Sequence, residues 1–396
     1  MWIQLTFLAL FFALMLAVGF YCRKHAKSVN GFVLGGNKAG AWLTAFAFGT
    51  SYFSAVIFVG YAGKFGWNFG IASTWIGLGN AFLGSLLAWV VLGRRTRLMT
   101  NHLGSRTMPE FFGSRYDSKA LRLISAMIVF VFLVPYTASL FNGLSRLFTM
   151  AFPQVDYTLC VVIMSLLTCV YVLVGGYMAT AINDFIQGIF MIGGIIAVVV
   201  AVLQQNGGFS ASMKKLAETA GWQYTSFFGA DPSFLFFVII LTSLGTWGLP
   251  QMVGKFYAIK DQDAVKKGTV ISTAFALIVA GGSYLLGGFD RLFCTTDAAD
   301  TSGKTLIATL SNGKPEFDAM IPAVLQTALP DLLIGLVVVL VLSASMSTLS
   351  SLVLASSSTL TLDFLKDNII KDMSEKRQVF IMRCLIVVFI AISVVI

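Results

Sequence analysis

An apolar run from Leu332 to Ala355 contains the hydroxyl-rich sequence Leu342-Ser-Ala-Ser-Met-Ser-Thr-Leu-Ser-Ser-Leu-Val-Leu354. The run is long enough to cross a bilayer as one helix. Its central hydroxyl residues are Ser343, Ser345, Ser347, Thr348, Ser350 and Ser351. Because a helix in lipid satisfies its own backbone hydrogen bonds, these hydroxyls are not needed to hold the helix together.

Helical geometry groups several of these hydroxyls on one side. Ser343, Ser347 and Ser351 share a stripe at the 3.6-residue period, and Thr348 lies over the carbonyl of Ala344, the i−4 oxygen that a threonine can reach. Neutral oxygens clustered near the membrane midplane suit a small hard cation that has lost its water. Alternatively, small hydroxyl residues serve close packing and hydrogen bonding between helices. On this stretch alone both interpretations stay open.

The composition indicates a membrane protein. The chain is 57% hydrophobic and only 11% charged, more apolar surface than a soluble protein of this size can hide. Apolar runs lie at roughly 2–22, 41–63, 71–93, 121–150, 157–174, 185–203, 233–250, 268–288, 332–355 and 379–396. We therefore predict an all-α polytopic membrane protein with one transmembrane domain over 1–396. The first run lacks a basic start and a cleavage site, so we expect it to remain as a span.

The net charge of +9 follows the topology of a membrane protein rather than marking a nucleic-acid partner. The segments 23–40, 94–122, 255–267 and 366–383 carry 20 of the 27 Lys and Arg residues. Basic residues collect in cytoplasmic loops, so we predict that these segments face the cytoplasm. The N-terminus is then extracellular or periplasmic, and the membrane is the plasma membrane. The five cysteines show no metal-ligand spacing.

Two spans carry interruptions in their middles. The second contains Phe48-Gly-Thr-Ser-Tyr-Phe-Ser-Ala55, and the seventh contains Thr242-Ser-Leu-Gly-Thr-Trp-Gly-Leu-Pro-Gln251. Broken helices in corresponding positions are the mark of inverted repeats with a central binding site. We predict a leading helix and loop over 1–40, a first five-helix repeat over 41–203 and a second over 233–396. The second repeat is one helix short at Ile396, so we expect it to be truncated.

Asp184 is a carboxylate predicted at or just within a membrane helix. It ends the sequence Gly175-Gly-Tyr-Met-Ala-Thr-Ala-Ile-Asn-Asp184, which we interpret as an inner loop leading into the sixth span. An acid at membrane depth is costly and usually functional. The alternative is an acid at a helix start, where the helix dipole favours it.

Four motifs give the chain a family resemblance. They are Ser51-Tyr-Phe-Ser-Ala-Val-Ile-Phe-Val-Gly60, Gly175-Gly-Tyr through Asn183-Asp184 and Gln187, Gly248-Leu-Pro-Gln251, and Met346-Ser-Thr-Leu-Ser350. In this order, and over essentially its whole length, the chain resembles the sodium:solute symporter family, in its proline-like, pantothenate-like and monocarboxylate branches. The resemblance implies an inverted-repeat fold like that of the bacterial leucine transporter, with an extra leading helix.

The resemblance also implies binding residues. A first sodium ion would be held by backbone carbonyls of Thr50, Phe53 and Ala344 and by hydroxyls of Ser347 and Thr348. A second sodium ion would be held by Asp184, Ser347, Ser350 and Ser351. The solute would lie near Ser51, Tyr52, Ser54, Tyr136, Thr246 and Trp247. The proline branch has an acidic residue in place of Tyr52 and a tryptophan in place of Thr242, which weakens the case for proline.

We therefore predict a sodium-coupled secondary active symporter that imports a small polar organic solute, such as an amino acid, a monocarboxylate or a vitamin-like compound. The alternative is a transporter-like sensor fused to a signalling domain. An enzyme is disfavoured because His25 and His102 lie in predicted loops and no catalytic set converges. A channel is disfavoured because no repeated filter loop is visible. The expected partners are the solute and the lipid bilayer, without nucleic acid; the oligomeric state stays open.

Overall fold

The computed structural model describes residues 2–151, 156–300, 302–370 and 372–396, and most of them are helical. The described α-helices are α1 (Trp2–Cys22), α2 (Val29–Leu34), α3 (Ala41–Tyr52), α4 (Ala62–Phe69), α5 (Thr74–Gly79), α6 (Arg94–Leu103), α7 (Met108–Tyr116), α8 (Lys119–Ala151), α9 (Tyr157–Gln205), α10 (Phe209–Ala220), α11 (Pro232–Leu244), α12 (Pro250–Ala258), α13 (Gln262–Gly287), α14 (Met320–Ala328), α15 (Asp331–Thr359), α16 (Lys366–Asn368) and α17 (Glu375–Val395). Two short parallel strands, β1 (Cys294–Thr295) and β2 (Thr305–Leu306), pair in a connecting segment. The predicted all-α class is confirmed.

Among the described residues, seven stretches are long and apolar enough to cross a membrane. They are Thr6–His25, Val56–Leu103, Lys119–Phe141, Thr158–Gln205, Gln262–Leu292, Leu333–Asn368 and Glu375–Val395. Two of them run for 48 residues, about 72 Å of straight helix, which is more than twice the hydrocarbon thickness. The chain is therefore an integral membrane protein, and each of the ten predicted runs coincides with a helix or a broken helix.

The two predicted interruptions are breaks in the helices. α3 ends at Tyr52, Phe53 is extended at φ −91° and ψ 109°, and a π-helical turn over Val56–Tyr61 leads into α4. α11 ends at Leu244, and α12 begins at Pro250. Proline fits the first turn of a helix because it has no N–H to satisfy there. The division into two inverted repeats relies on these breaks and stays a prediction.

The predicted inner loop before Asp184 is wrong. α9 is helical on both sides of Gly176, the one residue of this helix with non-helical angles, at φ 57° and ψ −151°. A left-handed φ favours glycine, which has no Cβ. Gly175 approaches Gly19 near the end of α1, whereas Phe190 contacts Phe11 further back along α1. The second half of α9 therefore runs antiparallel to α1, and the predicted spans 157–174 and 185–203 meet at a sharp bend.

The four basic segments come together at one end of the helical bundle. Arg97 donates hydrogen bonds to the carbonyls of Ile259 and Lys260. The Lys260 N–H donates to the carbonyl of Ala39 over 2.9 Å, and Arg383 donates to the carbonyl of Ala26, so these contacts connect all four segments. Their common side agrees with the charge pattern, and its identity as the cytoplasmic side stays a prediction. The prediction is wrong for one basic residue: Lys255, predicted in the loop 255–267, lies on α12 and is only 2% exposed.

α15 forms the centre of the molecule. In the most apolar 18 residues of the stretch that contains α15, 83% of the residues are buried, compared with 28–56% in the other six spanning stretches. Its hydroxyl residues therefore face other helices rather than lipid. Glycines bring neighbouring helices close: a Cβ on Gly66 of α4 would lie 2.1 Å from the carbonyl carbon of Gly287 in α13. Small residues at helix contacts permit such close backbone approach in membranes.

Candidate functional site

The interrupted helix α3 meets the hydroxyl-rich middle of α15 through two side-chain hydrogen bonds. The Ser347 hydroxyl donates to the Thr50 hydroxyl over 2.8 Å, and the hydroxyls of Ser51 and Ser351 lie 2.9 Å apart. All four side chains are buried, at most 4% exposed. The predicted ligand positions of α3 and α15 are therefore adjacent in space, although about 300 residues separate them in the chain.

The local geometry of Thr348 agrees with the prediction from helical periodicity. Its Oγ1 donates to the carbonyl of Ala344 over 3.0 Å, so two of the three ligand oxygens predicted on α15 are neighbours. Since that bond uses the hydroxyl proton, the oxygen's lone pairs remain available for a cation. Ser350 instead donates to the carbonyl of Ser347 over 2.9 Å.

The break after α3 supplies the backbone oxygens. The last four carbonyls of a helix have no intrahelical donor, and here the Phe53 N–H bonds only the Gly49 carbonyl, over 3.0 Å. The Thr50 side chain is held by its bond to the Phe46 carbonyl, at 2.8 Å. Hydroxyl and carbonyl oxygens are ligands that suit a hard cation, so the residues present fit a sodium ion.

Asp184 lies in a second, more strongly charged cluster beside the first. It is fully buried in α9, eight residues beyond the bend at Gly176, so it is not an acid at a helix start. Ser347 lies beside its carboxylate. The Lys255 ammonium is 3.4 Å from Asp184 Oδ2 and 2.9 Å from the Ser351 hydroxyl.

Lys255 is the functional candidate that the sequence analysis missed. Its signal was present: a lysine five residues after Pro250, on the helix that follows the second break. Hydropathy ends the apolar run at residue 250 and assigns the lysine to the next loop. Burial of Lys255 depends on α12 continuing the span inward, which hydropathy alone does not reveal.

The predicted solute residues separate into two groups. Tyr52 donates to the Thr242 carbonyl over 2.9 Å, and its hydroxyl lies near the side chains of Thr246 and Tyr136. These residues join both interrupted helices and α8 around one aromatic cluster. Trp247 donates from Nε1 to the Leu83 carbonyl over 3.0 Å.

The other predicted solute residues lie at the break itself. Ser51 points to the cation clusters through its bond to Ser351. Ser54 is buried, and its carbonyl accepts from Ile57 and Phe58 at 3.0 and 3.2 Å. Ser51 thus borders the ion ligands, and Ser54 is buried in the break after α3.

A cavity leads to the second cluster from the end that carries the basic segments. Its lining includes Val33, Arg106, Tyr177, Lys255 and Ser351. Lys255 and Ser351 therefore border both the cavity and the buried carboxylate.

The chain is similar to known membrane transporters over almost its whole length. The family described as "Sodium:solute symporter family" matches residues 32–396. An osmoregulated proline transporter of Bacillus subtilis is 27% identical over 395 residues, which are 98% of this chain and 76% of that protein. A sodium/proline symporter of Haemophilus influenzae is 28% identical over 386 residues, which are 96% and 74% of the two chains.

A solved structure shares the fold. It is the substrate-bound, outward-open state of a Na+-coupled sialic acid symporter, with a TM-score of 0.82 and 17% sequence identity. The match covers 99% of this chain and 81% of that one. At this identity the similarity establishes the architecture, and the residues that bind the ion and the solute must be argued from this chain.

Proposed function

This chain belongs to the sodium:solute symporter family and is a sodium-coupled symporter of a small organic solute, and we propose that its ion and solute bind side by side where α3 is interrupted. The observation that carries the proposal is the contact of Thr50 with Ser347 over 2.8 Å. It joins the broken helix to the hydroxyl-rich helix at a fully buried point.

The sodium ion of the first site binds to the carbonyls of Thr50, Phe53 and Ala344 and to the hydroxyls of Ser347 and Thr348. Support comes from the Thr348–Ala344 contact of 3.0 Å and from the free carbonyls at the end of α3. Asp184, Ser347, Ser350 and Ser351 form a second cation position beside it. A dehydrated cation in this low-dielectric interior needs several oxygens because each missing ligand is not replaced by water.

The solute lies against Tyr52, Thr246 and Tyr136, with Ser51, Ser54 and Trp247 at its border. This set offers hydroxyls, carbonyls and aromatic faces and lacks a formal charge, which favours a small polar solute. The named relatives are proline transporters, so proline belongs among the candidates. In the proline branch an acidic residue stands at the position of Tyr52 and a tryptophan at that of Thr242. Here these two residues are hydrogen-bonded to each other, which favours a solute other than proline.

Coupling requires that sodium stabilise the solute-bound arrangement at the break. An ion that moves inward through 100 mV releases roughly 2.3 kcal/mol, enough for about a fiftyfold accumulation of a neutral solute. Thr50 and Ser51 at the end of α3 contact the ion ligands Ser347 and Ser351, and the next residue, Tyr52, is the one against which the solute lies. Binding of the ion thereby orders the backbone that the solute contacts. We expect import, with the N-terminus outside and the basic segments in the cytoplasm.

The test is uptake into proteoliposomes that contain the purified chain. Labelled amino acids including proline, monocarboxylates, vitamin-like acids and sugars are offered with an inward sodium gradient. We expect one class to accumulate, and accumulation to disappear when choline replaces sodium or an ionophore collapses the gradient. Equal uptake of that solute in choline contradicts sodium coupling.

A further inference from the structure

Lys255 lies where a second cation would bind. Its ammonium is 2.9 Å from the Ser351 hydroxyl and 3.4 Å from Asp184 Oδ2, and it lies 5.5 Å from the centre of the Tyr177 ring. Lys255 is 2% exposed and Asp184 fully buried. Charges at this depth persist when they are paired, so the two side chains balance each other.

The oxygens around Lys255 form a ligand set that a sodium ion could also use. Asp184 Oδ1 has no hydrogen-bond partner among the described residues, and Ser347 lies beside the same carboxylate. The Ser351 hydroxyl contacts both Ser51 and Lys255. One carboxylate compensates one positive charge, so an ammonium and a sodium ion compete for this position rather than share it.

We propose that the Lys255 ammonium is the built-in cation of the second position and limits the transporter to one bound sodium ion. The inference rests on the proposed function, because it assumes that the first sodium ion binds at Thr348. Lys255 is thus a residue that determines ion stoichiometry. The attached charge returns with α12 in every cycle, whereas a free sodium ion would be carried across with the solute.

Because Lys255 belongs to α12, its ammonium connects that helix to its neighbours, which a free ion does not do. Through Ser351 the ammonium is linked to Ser51 of α3, and through Asp184 to α9. Both interrupted helices are therefore joined at one charge, beside the cavity that reaches Lys255 and Ser351. A sodium ion released at this position would have that route out, and the lysine keeps the position filled.

The test counts bound sodium ions and needs no knowledge of the solute. Saturation binding of radioactive 22Na+ to the purified full chain should give one ion per protein for the wild type. Lys255→Met removes the ammonium and keeps an apolar stem of similar length, and we expect it to bind two ions. Adding Asp184→Asn to Lys255→Met should return the count to one, because the second position then lacks its carboxylate.

Controls separate this proposal from the first site. Lys260→Met, at an exposed lysine of the neighbouring loop, and Lys255→Arg, which keeps the charge, should both leave one ion. Thr348→Ala should reduce the wild-type count toward zero over the same concentration range. A wild type without saturable binding would contradict the sodium site itself, which is a different failure.

Two results would overturn the assignment of Lys255. One is a folded Lys255→Met protein that still binds a single ion. The other is a wild type that binds two ions. This measurement tests whether Lys255 limits the protein to one sodium ion even if Lys255→Met fails to fold.

Discussion

The Ser347 hydroxyl of α15 donates a 2.8 Å hydrogen bond to the Thr50 hydroxyl of α3, and both side chains are fully buried. Thr50 in turn bonds the Phe46 carbonyl of its own helix at 2.8 Å. The end of the broken helix is thereby fixed against the centre of the molecule by side chains rather than by backbone hydrogen bonds. Such a contact can rearrange when an ion enters, because hydroxyl groups can rotate without breaking a helix.

Thr348→Ala should weaken sodium activation of uptake severely. The ion loses one oxygen ligand in a site that water does not reach. If this loss costs about 2 kcal/mol of binding free energy, sodium affinity falls roughly thirtyfold. Thr348→Ser keeps the oxygen and should have a mild effect. The measurement is the initial rate of uptake against sodium concentration.

The matched control for Thr348 is Ser343→Ala. The Ser343 hydroxyl is buried in the same helix and has no hydrogen-bond partner among the described residues. Its loss should therefore leave the sodium concentration for half-maximal uptake nearly unchanged. If Thr348 only packs, Thr348→Ser and Thr348→Ala should behave alike, since both delete the methyl group. If the sodium concentration that gives half-maximal uptake is unchanged in Thr348→Ala, the ion binds elsewhere.

Single cysteines should report the orientation of the chain in a cysteine-free background. Lys266→Cys, exposed after α12, should resist membrane-impermeant thiol reagents in intact cells, whereas Ser311→Cys, exposed in the long connection before α14, should react. The expectation follows from the four basic segments at one end of the bundle. Labelling after permeabilisation shows that both sites are accessible, and the reversed pattern would invert the topology.

Gly176→Ala should destabilise the protein. The residue has φ +57°, and a Cβ there would lie 2.9 Å from the Phe32 carbonyl oxygen. A left-handed conformation for a residue with a side chain costs about 1–3 kcal/mol, to which the backbone contact adds. The control is Gly193→Ala in the same helix, where a Cβ meets no described heavy atom within 4 Å. Equal thermal stability of the two variants would contradict the strained bend.

Local sequence signals predicted the fold and the neutral part of the site. The break at Phe53 follows from Gly, Thr and Ser in mid-span, and the Thr348–Ala344 contact follows from the i−4 rule. Both depend on residues close together in the chain. The resemblance to a family then placed the two partners of α3 and α15 together, which periodicity could not do.

The charged part of the site was only half predicted. Asp184 was singled out because an acid in an apolar run is conspicuous. Lys255 stands at the edge of such a run, where a lysine ordinarily reaches water. Its pairing with Asp184 joins positions 71 residues apart, and only the packing of α12 against α9 and α15 brings them together.

Asp184→Asn should destabilise the protein, and removal of Lys255 should rescue it. The single change leaves a buried ammonium without its carboxylate, and loss of one partner of a buried pair costs about 3–5 kcal/mol. Asp184→Asn with Lys255→Met leaves no unpaired charge, so its unfolding temperature should lie close to that of the wild type. Thermal unfolding of the two single variants and the double variant in detergent without sodium gives the coupling energy. Additive losses would mean that the 3.4 Å contact contributes no pairing energy, and the ammonium would then not be the cation that balances Asp184.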